Sequence, residues 1–126
     1  MKKRTRKNIR KELWDICKTL IRQRDKNICQ KCGKYVEGSN CHTSHVIPVS
    51  FSLRLAYDIV NLKILCSYHH LRWWHKNPLD ATAWFKKKFP LRYKYLQKRK
   101  REIQKLGSVK TYELEEWLKE FKDGQD

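Results

Sequence analysis

The chain has 126 residues and a formal net charge of +17, a length that suits one domain whose modest core gains from a metal or disulfide staple. Charge that extreme points to a dense polyanion as partner, with nucleic acid ahead of an anionic lipid surface. No stretch approaches the roughly 18 consecutive apolar residues of a transmembrane helix, and the basic start, Met1 to Lys11, lacks the apolar core of a secretory signal. An intracellular protein that is not secreted is expected, with no membrane partner and with cysteines that serve as thiols or metal ligands rather than disulfides.

Residues 1–27 read as a basic amino-terminal helix. Ile9, Leu13, Ile16, Cys17, Leu20 and Ile21 recur at helical spacing with Lys and Arg on the other face, and Cys17 on that stripe reads as core. From residue 42 to 65 the pattern changes. Val46-Ile47-Pro48 and Ile59 to Leu65 are rich in β-branched and aliphatic residues, as strands are. A helix is expected over about 67–76. Asn77-Pro78 then opens another, with Asn77 as N-cap and Asp80 near its start, and Pro90 ends it. Residues 91–105 read as a very basic helix stopped at Gly107. Thr111 is expected to cap a last helix whose Leu114, Trp117, Leu118 and Phe121 form an apolar stripe. One domain follows, divided into 1–27, a Cys/His core 28–77 and a helical extension 78–126.

Basic charge is concentrated in two arms. Residues 1–27 carry 11 Lys/Arg against 3 acids and residues 86–105 carry 10 against 1, whereas 28–77 carries 6 against 2 and 106–126 carries 3 against 6. Two basic arms flanking the chemical block suit a grip on a phosphate backbone. Lys98, Arg99, Lys100 and Arg101 are the densest run, and Arg54 and Arg72 lie nearer the block. Trp73 and Trp74 have faces on which bases can stack, although adjacent helical positions face apart and at least one should be core.

All five histidines and four of the five cysteines fall in the 47 residues from Cys29 to His75. Cys29-x2-Cys32, followed by Gly33, and Cys66-x2-His69 have the spacing of a tetrahedral zinc site. Such a site contributes folding free energy directly. Cys41 lies outside the pattern, as core or as a substitute ligand. Four ligands satisfy one zinc, so His42, His45, His70 and His75 are surplus.

The stretch Ser44-His45-Val46-Ile47-Pro48, then Asn61-Leu62, then Leu65-Cys66 leading to His69-His70, resembles the motif of the HNH endonucleases. The resemblance covers residues 28–78, about 40% of the chain, and Trp73, Trp74, His75, Asn77 and Pro78 resemble its phage-borne branch. It implies a small α+β fold, a zinc-stapled ββα-metal (HNH) core flanked by several helices. It further implies metal-dependent hydrolysis of DNA phosphodiester bonds, by nicking or double-strand cutting. In that frame His45 is the general base, Asn61 orients the loop that holds the base, and His70 ligates a catalytic divalent cation such as Mg²⁺, Mn²⁺ or Ni²⁺. A histidine with an ordinary pKa near 6.5 is mostly neutral at pH 7 and can accept a proton from water.

The chain departs from the family at Ser44, where many members carry Asp or His as a metal ligand. His42, three residues back, or His75, five residues beyond His70, can fill that place. On an ideal α-helix an i, i+5 pair lies about 140° apart, so His75 serves only where the helix bends or ends. His69 and His70 can also exchange roles. The second functional reading is a zinc-stapled, non-catalytic DNA-binding module, and it is Ser44 that favours it.

Overall fold

A computed structural model describes residues 4–124. Helix α1 (Arg6–Asp25) begins where Thr5 Oγ1 accepts the Asn8 amide at 3.1 Å, an N-cap that satisfies one of the orphan amides of the first turn. Its Ile9, Leu13, Cys17 and Ile21 are fully buried. They lie at i, i+4 spacing, so one stripe of the helix carries the apolar area, each aliphatic side chain contributing about 1.5–3 kcal/mol. Burial pushes the Cys17 thiol up to about 12, with a smaller push from Asp58. It is a core thiol. The helix ends at Lys26, which turns to φ 57°.

Strands β1 (His42–His45) and β2 (Leu62–Leu65) form a two-stranded antiparallel sheet, with His42 opposite Leu65 and Ser44 opposite Lys63. A helical segment follows, in π geometry over His69–Trp74. Then come α2 (Pro78–Lys88), α3 (Pro90–Ile103) and α4 (Thr111–Asp123). The end of α1 is tied to the sheet. The Asp25 carboxylate accepts the Ile64 amide at 2.9 Å, and the Arg24 guanidinium donates to Asp25 and to the carbonyls of Ile59 and Leu62. β2 is buried throughout, with α1 and α4 building the main core around it: Leu114 and Leu118 are buried there, and Trp117 and Phe121 pack at the edge. A second core of Leu55, Phe85, Leu96 and Ile103 joins α2 and α3. The protein is therefore a small α+β fold. Among the described residues no helix is long and apolar enough to cross a membrane.

Three local expectations need correction. Val46-Ile47-Pro48 is not strand, because the buried Asn61 side chain occupies the Ile47 backbone: Oδ1 accepts the Ile47 amide at 2.7 Å and Nδ2 donates to its carbonyl at 2.9 Å. Ile59–Asn61 forms a 3-10 turn instead of extending the strand, since Asp58 Oδ1 caps it through the Val60 amide at 2.9 Å. The cap of α4 is Lys110, one residue before Thr111, where the Lys110 amide donates to Glu113 at 2.7 Å; Asn77 does stand at the N-cap of α2, although its side chain makes no capping bond.

The sheet also buries an amine that the sequence pattern does not announce. Lys63 is fully buried, with Nζ 3.0 Å from Ser44 Oγ and 3.3 Å from the centroid of the Trp74 ring. Burial holds its pKa well below the ordinary 10.5, against a weaker opposing pull from Asp25. A lysine whose pKa is depressed by folding must shed its proton to be buried. The stability it withholds below the folded pKa is thus recovered as pH rises toward 10.5. Stability should climb by up to about 1.4 kcal/mol per pH unit in that window. Lys63→Met, of similar length and without the amine, should flatten the climb. Denaturant unfolding at stepped pH checks this, and an unchanged slope in the variant would assign the titration elsewhere.

Candidate metal centre and histidine cleft

The two x2 pairs come together. The ligand atoms of Cys29, Cys32, Cys66 and His69 all lie within 4.8 Å of one another. His69 Nδ1 is 3.2 Å from Cys66 Sγ and 3.9 Å from Cys29 Sγ. The first pair sits on a knuckle closed by two backbone bonds, Gly33 amide to Cys29 carbonyl and Cys29 amide to Lys34 carbonyl, each 2.8 Å. Gly33 stands at φ +75°, a conformation that glycine adopts without a side-chain penalty. The second pair straddles the end of β2 and the start of the helical segment. Cys29 and Cys66 are buried and Cys32 is exposed. This donor set of three sulfurs and one imidazole can hold one metal ion. Cys41 packs half-buried against the core and is not among the donors.

His69 thus belongs to the cysteine cluster, and its neighbour His70 points into a different group. His42 Nε2 lies 2.9 Å from the Ser39 carbonyl, which can only accept, so Nε2 bears the proton and Nδ1 the lone pair. His70 Nδ1 is 2.8 Å from that lone pair and donates to it. His70 Nε2 is then the free acceptor, with His75 Nε2 3.1 Å away. The His75 amide reaches the His70 carbonyl at 3.3 Å, an i, i+5 bond. That bond explains why a pair some 140° apart on an α-helix meets here: π geometry widens the turn. Burial, then the neighbouring imidazoles of His75 and His42, push the His70 pKa down to about 4.

His45 stands at the end of β1. Its Nε2 donates to the Ala56 carbonyl at 3.0 Å, which leaves Nδ1 as the lone-pair nitrogen. Its ring stacks on Trp14 with centroids 5.0 Å apart and planes 13° apart. Burial lowers its pKa below the ordinary 6.5, against a weaker opposing pull from the bond to the Ala56 carbonyl. Asn61 Nδ2 also donates to the Leu55 carbonyl at 3.0 Å, one residue before the carbonyl that holds His45. A cleft of about 420 Å³ is lined by His45, His70, His75, Trp74, Thr43 and Pro78, among others. His42 lies behind it.

The structure brings His45, His70 and His75 to one cleft, and places Asn61 beneath the loop that holds His45. Ser44 does not face them: it is buried under Lys63. Arg54 is committed elsewhere, to Glu113 at 2.9 Å and the Gly107 carbonyl at 3.0 Å. Arg72, Lys98, Lys100 and Arg101 are exposed, and Arg99 pairs with Glu102 at 3.3 Å. Trp74 packs on both cores, while Trp73 lies edge-on to His69 and Trp84. Sequence reasoning missed Trp14 and the carbonyls of Ser39 and Ala56. Backbone carbonyls carry no sequence signal, and Trp14 lies at the margin of an apolar stripe.

No protein-family model, curated protein or solved structure matches this chain. The class defined by fold and site is a small α+β protein with a Cys3His donor set that can hold a metal ion, beside a histidine cleft.

Proposed function

We propose that the chain is a metal-dependent DNA endonuclease of the HNH type, with zinc in the Cys3His centre and the histidine cleft as its active site. The carrying observation is the placement of His45, with its Nε2 proton engaged by Ala56, on the wall of the cleft that holds His70 and His75. Three sulfurs and one imidazole make a closed, tetrahedral donor set of the kind zinc takes in structural sites. The order strand, loop, strand, helix around the cleft fits the resemblance carried by Ser44 to Pro48, Asn61-Leu62 and His69-His70.

In this reading His45 Nδ1 takes the proton of an attacking water, since its other nitrogen is already committed. Asn61 fixes the backbone from Ile47 to Leu55 and so orients the base. His70 Nε2 and His75 Nε2, 3.1 Å apart, are spaced to hold one divalent cation. His42 serves behind them: through Ser39 it fixes the tautomer that leaves the His70 Nε2 lone pair in the cleft, a supporting role common behind metal-binding histidines. The cation supplies positive charge to the phosphate oxygens as the transition state forms.

A donor pair made of imidazoles with no carboxylate suits Ni²⁺ or Zn²⁺ better than Mg²⁺. Supercoiled plasmid incubated with zinc-loaded protein should therefore be nicked or linearised at lower Ni²⁺ than Mg²⁺ concentration. Cleavage with Mg²⁺ but not Ni²⁺ would remove the two-histidine ligand assignment. The second reading, a zinc-stapled DNA-binding module without catalysis, draws on Ser44, whose hydroxyl is bonded to Lys63 at 3.0 Å and offers the cleft no ligand. No cleavage with any divalent ion would make it the better account.

A further inference from the structure

The histidine cleft is not closed on the α1 side. His45 and Val49 also line a second hollow, of about 610 Å³, whose opposite wall is the amino-terminal half of α1. We propose that this groove carries the phosphate backbone of one strand of duplex DNA past His45, with Arg6, Lys7, Arg10 and Lys11 as its positive wall and Trp14 as its floor. The inference deepens the nuclease reading and rests on it for the meaning of His45.

Charge and its disposition carry the argument. The four cations lie at i, i+1, i+4 and i+5 of one helix, so they cover adjoining faces of two successive turns. Arg6 and Arg10 are held by neutral oxygens: Arg6 by the Val109 carbonyl at 2.9 Å and Thr111 Oγ1 at 3.3 Å, Arg10 by Tyr57 Oη at 3.2 Å. Those bonds position each guanidinium without cancelling its charge. Lys11 alone meets a carboxylate, Asp15 at 2.9 Å, in an exposed pair that adds little. The first turn of α1 has no acidic residue, so the positive end of the helix dipole adds to the field. The stacked Trp14 and His45 rings join the two hollows.

The other basic arm is a poorer track. Arg99 is paired with Glu102 and borders a hollow that Asp58, Glu102 and Glu120 also line. Lys100 lies over the Phe51 ring at 4.8 Å. That face mixes signs, where the α1 groove keeps one.

The test uses full-length, zinc-loaded His45→Ala protein without added divalent ion, so that binding is read without cleavage. Affinity for a labelled DNA duplex is measured over a salt series. Lys7→Gln/Arg10→Gln should weaken binding and reduce the log–log salt slope by about 0.9 for each phosphate that the variant no longer neutralises. Lys98→Gln/Lys100→Gln/Arg101→Gln should change the slope less, and circular dichroism should show both variants folded. A larger loss from the second variant than the first, or no change from the first, overturns the proposal. So does loss of binding to phosphatidylserine vesicles with DNA affinity intact, which would make the groove a membrane surface. A groove that passes this test in a protein that cuts nothing would stand as a DNA surface while the nuclease reading fails.

Discussion

His45→Ala is expected to lower metal-dependent plasmid cleavage by about 10²–10⁴-fold, the usual cost of losing a positioned general base. Zinc content and DNA affinity should persist, because His45 is not among the Cys3His donors and, among the described residues, its ring bonds to the Ala56 carbonyl and stacks on Trp14. The pH profile should carry its signature. A base works only when unprotonated, and burial lowers the His45 pKa below 6.5. The acid limb of the wild-type profile should therefore fall below pH 6.5, not at it. The cleft histidines should behave differently. His70→Ala and His75→Ala should raise the metal concentration needed for cleavage, with partial rescue by excess metal. His42→Ala should weaken metal binding by about 10–100-fold, read by calorimetric Ni²⁺ titration of the uncleaving protein as well as by rate. Wild-type cleavage by His45→Ala would remove the base. A His75→Ala variant with unchanged Ni²⁺ affinity would return the second ligand to His42.

What the sequence disclosed and what it concealed divide along a physical line. Local pattern was sufficient for α1, where Ile9, Leu13, Cys17 and Ile21 repeat every four residues and all are buried, and for the metal donors, whose x2 spacing is a chelate geometry in itself. It was insufficient wherever a side chain outcompeted a propensity. Val46 and Ile47 favour extended pairing, but Asn61 takes the Ile47 amide and carbonyl that a ladder would need. His75 was 140° out of place only for an α-helix; the i, i+5 bond to His70 is a tertiary outcome that spacing does not announce. Lys63 was hidden for the same reason. A lysine in an aliphatic run reads as the solvent face of a strand, and its burial against Ser44 and Trp74 depends on how the helical segment docks. The basic runs were legible as charge and not as surface, since only the fold shows which cations keep neutral partners.

Removing the metal from the Cys3His centre should have the largest effect on the fold. The donors link two separate pieces of chain: the knuckle after α1, and the stretch that joins the end of β2 to the first turn of the helical segment carrying His70 and His75. Zinc bound by such sets contributes about 10–16 kcal/mol in small zinc domains, against a net stability of about 5–15 kcal/mol for an ordinary domain. A chelator strong enough to extract the ion should therefore abolish the cooperative thermal transition, even though α1 and α4 retain an apolar core of their own. Cys66→Ser should do the same with no chelator present. One equivalent of Zn²⁺ should leave the wild type on thiol modification, and readdition to freshly reduced protein should restore the transition. The effect on cleavage then follows from geometry. His70 directly succeeds the ligand His69, so the cleft depends on the staple for its shape. Protein that is stripped of zinc and keeps its melting temperature within a few degrees would show that the apolar cores suffice and that the four donors do not act as a staple.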